Sequence, residues 1–335
     1  MVSLLTLDAI EGLKKIPDKM IDMCVTSPPY YNLRNYGVAG QIGMEKTPEE
    51  YILRLVEGFR EVRRVLRDDG TLWVNIGDSY FPHNGSRGNK QSLGGDNLRG
   101  RDNEYQPSNK IYSEMNIKQK DLIGIPWMLA FALRADGWYL RQDIIWKKPN
   151  PMPESVKDRC TKSHEHIFML TKKSKYYYNQ DSIREPLSKQ RSLQAGTKVS
   201  PCNNVDKRKA VIEHDLQRGS GGHFADGHNW YMNPLGKNKR DVWTVSASKG
   251  NNAHFATFPH ELIRPCILAG SRKGGIVLDP FVGSGVTAQV SVQENRKCIG
   301  IDINSEYISL AAKVFSRSLV VGIEELLLVC GSDNE

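Results

Sequence analysis

The 335-residue chain has few of the features that announce metal, disulfide or membrane chemistry. Its six cysteines, Cys24, Cys160, Cys202, Cys266, Cys298 and Cys330, are scattered. No CxxC pair and no Cys/His cluster at metal-ligand spacing exists, which excludes a zinc ribbon or a disulfide framework and predicts reduced thiols. No apolar run approaches the roughly 20 residues that cross a bilayer. The first residues lack the basic-then-apolar pattern of a secretory signal. These absences predict a soluble, cytoplasmic protein with no bound metal. A hydrophobic fraction of 39% suffices for one large core with a smaller attached lobe. The formal net charge of +8 suits a polyanionic partner, although many proteins that bind none share such a charge.

Two stretches read as βα units, at opposite ends of the chain. In the first, Ser3–Asp8 is a short apolar strand, Ala9–Ile16 a helix and Ile21–Thr26 a buried strand. Thr47-Pro48-Glu49-Glu50 opens a helix, with an N-cap, a proline in the first turn and acidic residues against the dipole. Tyr51, Leu55, Phe59, Val62 and Leu66 keep helical spacing, and Gly70 ends the unit before a strand over Thr71–Ile76. Residues 79–120 are polar and glycine-rich and predict a long loop. Ile125–Ala135 follows as a helix, then Tyr139–Trp146 and Glu165–Thr171 as strands, separated by the proline-rich Lys147–Pro153. Residues 182–250 are basic and offer no confident element. Order returns with Pro259–Ala269 (helix), Gly275–Leu278 (strand), Val286–Gln293 (helix), Lys297–Ile301 (strand) and Ser305–Phe315 (helix). Such alternation predicts a doubly wound, mostly parallel α/β sheet.

The sharper chemical signal is Val277-Leu278-Asp279-Pro280-Phe281-Val282-Gly283-Ser284-Gly285-Val286-Thr287. A buried strand delivers an acidic residue and a Gly-x-Gly turn to a helix start, where backbone must approach a ligand closely. Asp302 ends the next strand, placed to accept hydrogen bonds from ribose hydroxyls. A lone Gly-x-Gly is as often an ordinary turn; the paired acidic residues tip the balance. Ala288 stands where a dinucleotide fingerprint wants a third glycine, which favours S-adenosylmethionine (SAM) over a nicotinamide cofactor.

The second signal is Val25-Thr26-Ser27-Pro28-Pro29-Tyr30. Consecutive prolines hold the backbone extended and leave carbonyls free to accept hydrogen bonds. An exocyclic amine held by the Ser27 hydroxyl and the Pro28 carbonyl can be turned out of conjugation with its ring, and Tyr30 can stack on a base flipped out of a duplex. Seen alone, the segment reads more readily as a strand-ending turn with a packed tyrosine, because short motif matches are common by chance.

Together the two motifs resemble the amino-group DNA methyltransferases, which methylate cytosine N4 or adenine N6, in the motif order of that family's beta group. The resemblance covers residues 1–180 and 250–315. It implies a seven-stranded SAM-dependent methyltransferase sheet with an inserted, irregular target-recognition region. On this reading residues 1–180 are the catalytic half and 181–250 the DNA target-recognition insertion. Residues 251–320 are then the SAM-binding half and 321–335 a C-terminal tail. The implied catalytic residues are Ser27, Pro28, Pro29 and Tyr30. The implied cofactor residues are Asp8, near the adenine end of SAM or simply a helix N-cap, then Asp279, Phe281, Gly283, Gly285, Thr287 and Asp302. Thr257, Phe258 and Pro259 resemble the segment that folds over the methionine moiety. Lys147, Lys148 and Asn150 match the family's loop near the target base, and Lys207, Arg208 and Lys209 are candidate phosphate contacts.

Cytosine-N4 enzymes usually carry Ser where adenine-N6 enzymes carry Asp, so Ser27 favours cytosine N4, with adenine N6 as the alternative. A C5-cytosine enzyme needs a nucleophilic cysteine, usually in Pro-Cys-Gln. Pro201-Cys202-Asn203 and Pro265-Cys266-Ile267 both depart from that pattern, and the cysteines read as structural. Two further alternatives are a DNA-binding module that has lost catalysis and an RNA or protein methyltransferase. The intact acidic and glycine positions oppose the first, and the motif order opposes the second. The expected partner is double-stranded DNA in a prokaryotic or phage setting; a cognate restriction endonuclease and a homodimer both stay open.

Overall fold

The computed structural model of the chain describes residues 1–33, 38, 40–81, 117–186, 235–247, 258–316 and 320–326. Its core is a sheet of eight described strands: β1 (Val2–Thr6), β2 (Ile21–Thr26), β3 (Leu66–Ile76), β4 (Tyr139–Lys147), β5 (His164–Thr171), β6 (Val242–Thr244), β7 (Ile276–Asp279) and β8 (Lys297–Asp302). They lie in the order β1-β8-β7-β2-β3-β5-β4-β6. The first five of that order run parallel. β5 is antiparallel to both neighbours, and β6 is parallel to β4. The expected mostly parallel sheet is therefore present, with eight strands rather than seven. The added strand β6 falls in a stretch predicted to be irregular, because three residues are too few to carry a period.

The helices are α1 (Ala9–Lys14), α2 (Pro48–Val65), α3 (Ile125–Ala135), α4 (His260–Gly270), α5 (Val286–Gln293) and α6 (Ser305–Lys313). Each grows from a local signal. The Thr47 hydroxyl accepts from the Glu50 amide at 3.1 Å, and the Glu50 carboxylate accepts from the Lys46 amide at 3.0 Å, which satisfies donors that a helix start leaves over. The α2 face carrying Tyr51, Leu55, Phe59 and Val62 is buried in the main core; full burial of a side chain such as Phe59 is worth roughly 1.5–3 kcal/mol. Leu66, which keeps the helical spacing, instead opens β3 and pairs with Ile21.

All six residues of β2 are buried, as befits a central strand covered on both faces. This strand sits between β7 and β3, with Cys24 opposite Leu278 on one side and Leu72 on the other. Residues from the two ends of the chain thereby meet at one sheet edge. Contacts divide the chain into two compact units, Met1–Tyr178 with Asp241–Glu335, and Asn179–Arg240. Within the second, the Arg184 guanidinium donates to the Asn238 side chain at 2.7 Å, and Glu185 accepts from Arg240 at 3.1 Å. No described helix is long and apolar enough to cross a membrane, and no described group of acidic, histidine or cysteine side chains could hold a metal ion.

Candidate active site

A cavity of about 280 Å³ opens at the carboxyl edge of the parallel strands, the place where open α/β sheets bind ligands. The strand ends deliver its chemistry. Asp8 follows β1, Ser27–Tyr30 follow β2, Asp279 ends β7 and Asp302 ends β8, and all of them line it. Phe258, Phe281 and Gly283 line it too, while Lys148 reaches it from beyond β4.

Asp279 is 1% exposed and its carboxylate is fully engaged. One oxygen accepts from the Thr26 hydroxyl at 2.6 Å and the Phe281 amide at 3.1 Å, and the other from the Thr287 hydroxyl at 2.5 Å. Burial pushes its pKa up to about 6, against the pull of those three donors, and nearby Asp302 adds to the rise. Thr287 and Gly285 therefore sit behind the wall rather than in it: Thr287 orients Asp279, and Gly285 serves the turn. Gly283 and Gly285 have φ of +51° and +88°, where a side chain is strained. A Cβ on Gly285 would lie 2.7 Å from that of Ala311. The Asp302 carboxylate accepts from the Gly283 amide at 2.9 Å and the Asn304 amide at 2.8 Å. Burial raises its pKa, and these amides oppose the rise.

Asp8 caps α1, one oxygen accepting from the Ile10 amide at 2.9 Å, while the residue also faces the cavity. The cap and the cavity position coexist. Pro259 lies outside the lining and caps α4, its carbonyl accepting from the Leu262 amide at 3.0 Å. Thr257, Lys207, Arg208 and Lys209 lie outside the described residues.

The prolyl turn is held from both sides. The Tyr51 hydroxyl of α2 donates to the Pro29 carbonyl at 2.8 Å, and the Tyr30 hydroxyl donates to Glu165 at 2.6 Å. Burial, with Glu165 beside it, pushes the Tyr30 phenol well above its ordinary value. Glu165 was not singled out in the sequence. Because β5 runs antiparallel, its first residues share the edge with the last residues of β3 and β4, and Glu165 lies opposite Trp146. Lys148 donates to the same carboxylate, as does Asn75 at 3.2 Å. Burial pushes the Glu165 carboxyl up, but the Lys148 charge and hydrogen bond, with help from Tyr30 and Lys162, outweigh it and hold the group below the usual carboxylate range. Lys148 thus faces inward to a carboxylate, unlike Lys147 and Asn150, which are exposed and outside the lining. A lone acid opening a strand that continues Ile-Phe-Met-Leu was the available sequence signal for Glu165.

A doubly wound sheet whose carboxyl edge presents a glycine turn, strand-ending acids and a rigid prolyl turn has the architecture of a nucleotide-cofactor transferase. The sequence profile of the N6/N4 DNA methylase family matches residues 21–313, and the chain belongs to that family. It is 45% identical over 310 residues to the Type II methyltransferase M.SmaI of Serratia marcescens, covering 92% of this chain and 89% of that one. It is 44% identical over 308 residues to M.Cfr9I of Citrobacter freundii, covering 91% and 84%. Among solved structures, the PvuII cytosine-N4-specific DNA methyltransferase superposes with a TM-score of 0.59 at 16% identity, over 98% of this chain and 91% of that one. TTHA0409 of Thermus thermophilus, complexed with S-adenosyl-L-methionine, gives 0.55 at 21% identity, over 96% and 100%. These two likenesses show the fold.

The protein is a DNA methyltransferase, and SAM is its cofactor. The cavity fits that cofactor. Its wall combines the carboxylates of Asp8 and Asp302, suited to hydroxyl donors, with apolar Phe281 and Ile303, suited to a purine face, and the carboxylate of buried Asp279 stands just behind it. The left-handed Gly283 keeps side-chain atoms out of the approach.

Proposed function

We propose that the enzyme transfers a methyl group to the N4 amine of cytosine in duplex DNA, with the target base flipped into the cavity. The observation that carries this reading is Ser27: a neutral hydroxyl, where the adenine-N6 enzymes usually carry a carboxylate, opens the prolyl turn in the cavity wall. SAM supplies an electrophilic methyl group on a cationic sulfur.

The chain's residues do the rest. The Ser27 hydroxyl and the Pro28 carbonyl accept hydrogen bonds from the two amine N–H groups and turn the nitrogen lone pair out of conjugation with the ring; one of those protons is released as the N–CH3 bond forms and the methyl–sulfur bond breaks. Tyr30 stacks on the base. Asp302 holds ribose hydroxyls, and Asp279 stiffens the turn through Phe281 and Thr287. Asp8 meets the adenine end of the cofactor, and Phe258 lies at its methionine end. No cysteine nucleophile is required, and Cys266 supports this: it is buried in α4, its thiol turned to the Leu262 carbonyl at 3.8 Å.

Target recognition belongs to residues 181–250, a reading supported by the separate compactness of Asn179–Arg240 and by the Lys207–Lys209 run. Lys147, at the end of β4, and Asn150, in the loop that follows, contact DNA. A cognate restriction endonuclease is the expected genetic partner. Nucleoside mass spectrometry of DNA from cells expressing the enzyme tests the proposal: N4-methylcytosine supports it, and N6-methyladenine alone replaces it with the adenine reading.

A further inference from the structure

We propose that Glu165 is a positioning residue for methyl transfer, whose carboxylate fixes the Tyr30 ring and the Lys148 ammonium against the cavity. The inference rests on the reading of Ser27–Tyr30 as the catalytic turn. Three donors from three separate strand ends converge on this one group: Tyr30 after β2 at 2.6 Å, Asn75 in β3 at 3.2 Å, and Lys148 after β4. The Glu165 and Lys148 side chains are 12% and 23% exposed. The Lys148 ammonium also lies 4.4 Å from the centre of the Trp146 ring, a cation–π contact that sets its direction.

Fold stability does not account for this arrangement. A buried ion pair is usually no better than apolar side chains of the same volume, because desolvation cancels most of the attraction. What such a network supplies is a single orientation. A stacking tyrosine with a loose ring would have to be ordered by each incoming base, whereas a tethered one presents its face beforehand. Space is kept for it as well: a Cβ on Gly77 would come within 2.9 Å of Tyr30 Cε2 and 3.4 Å of the Glu165 side chain. The same carboxylate holds Lys148 as a hydrogen-bond donor next to that ring. Lys148 is thereby committed to the cavity wall, and the phosphate contacts fall to its exposed neighbours.

The test is Glu165→Gln, which keeps the shape and one acceptor oxygen but removes the charge. Methylation of unmethylated genomic DNA with tritiated SAM gives kcat and KM, and calorimetry gives SAM affinity. The expected result is a fall of at least tenfold in kcat, with KM and Kd for SAM within twofold of wild type. In a Glu165→Gln background, Tyr30→Phe should cost much less than it does alone, since both substitutions cut the same tether. Three outcomes overturn the proposal: a kcat within twofold of wild type, a loss of SAM affinity that matches the loss of turnover, or losses that multiply in the double variant. A wild-type enzyme that leaves every exocyclic amine unmethylated overturns instead the reading on which it rests.

Discussion

Asp279→Asn should stabilise the cofactor-free enzyme at pH 7.5 while weakening its hold on SAM. Raising a buried aspartate from 3.8 to about 6 means that its ionised form costs the fold about 3 kcal/mol. The sign follows from proton counting. Between those two values the folded state keeps a proton that the unfolded chain has lost, so stability falls as pH rises through about 6. Roughly half of the cost develops between pH 5 and 8. The asparagine carries no charge, still accepts from Thr26 and the Phe281 amide through its oxygen, and can donate to a rotated Thr287 hydroxyl. The gain over wild type at pH 7.5 should therefore reach up to about 3 kcal/mol, a rise of several degrees in Tm for a chain of this size. Thermal melts of both proteins from pH 5 to 8 measure it, with the gap widening as pH rises. A gap independent of pH, or a variant less stable than wild type at pH 7.5, would refute the assignment of a strained, mainly ionised carboxylate at neutral pH.

Four other expectations bear on cofactor, DNA and chemistry. Asp302→Ala should weaken SAM binding by roughly 1.5–3 kcal/mol, the worth of a hydrogen bond to a charged group, and unchanged affinity by calorimetry in a folded variant would take Asp302 out of the site. Alanine at Lys207, Arg208 and Lys209 together should flatten the log–log salt dependence of DNA binding by roughly 0.9 for each phosphate no longer neutralised; a wild-type slope would make the run a solvated face. Tyr30→Ala should lose stacking worth roughly 1–3 kcal/mol with SAM affinity near normal. Ser27→Ala should slow single-turnover methyl transfer more than it weakens DNA binding, because its acceptor matters most as the amine pyramidalises. If Cys266→Ser abolished activity while Ser27→Ala left it intact, direct transfer would have to give way to covalent catalysis.

Most of the fold was legible because periodicity and caps agreed. β2, α3 and α5 have the predicted bounds, the strand marked by apolar residues broken only by Asp22 and each helix by a glycine just before it. β3 begins five residues earlier than predicted because Leu66 pairs with Ile21 directly after α2, with no intervening turn. β6 escaped notice for want of length. Among the residues that line the cavity, those singled out from the sequence have local chemistry: a glycine that takes positive φ, an acid that ends a strand, a proline pair that stiffens a turn. Glu165 and Asn75 were missed for the opposite reason. Their role exists only once β5 lies antiparallel between β3 and β4, and no sequence window spans that pairing.

The same logic explains why the order of the two motifs along the chain is immaterial to the chemistry. Inserting β2 between β7 and β3 puts Cys24 opposite Leu278, so the turn after β2 and the turn after β7 are neighbours whichever the chain makes first. A buried bond from Thr26 to Asp279 links the two strand ends across 253 positions of sequence. Thr26 immediately precedes Ser27, and Asp279 shares its carboxylate with the Phe281 amide and Thr287. A shift of the glycine turn therefore pulls on the backbone that carries the serine. Catalysis by orientation requires the methyl donor and the amine to be held in one frame, since displacement of about an ångström can cost about a hundredfold in rate. A hydroxyl buried between the two turns supplies that frame with a short link, and the apolar strands on either side of it keep water from competing for the bond.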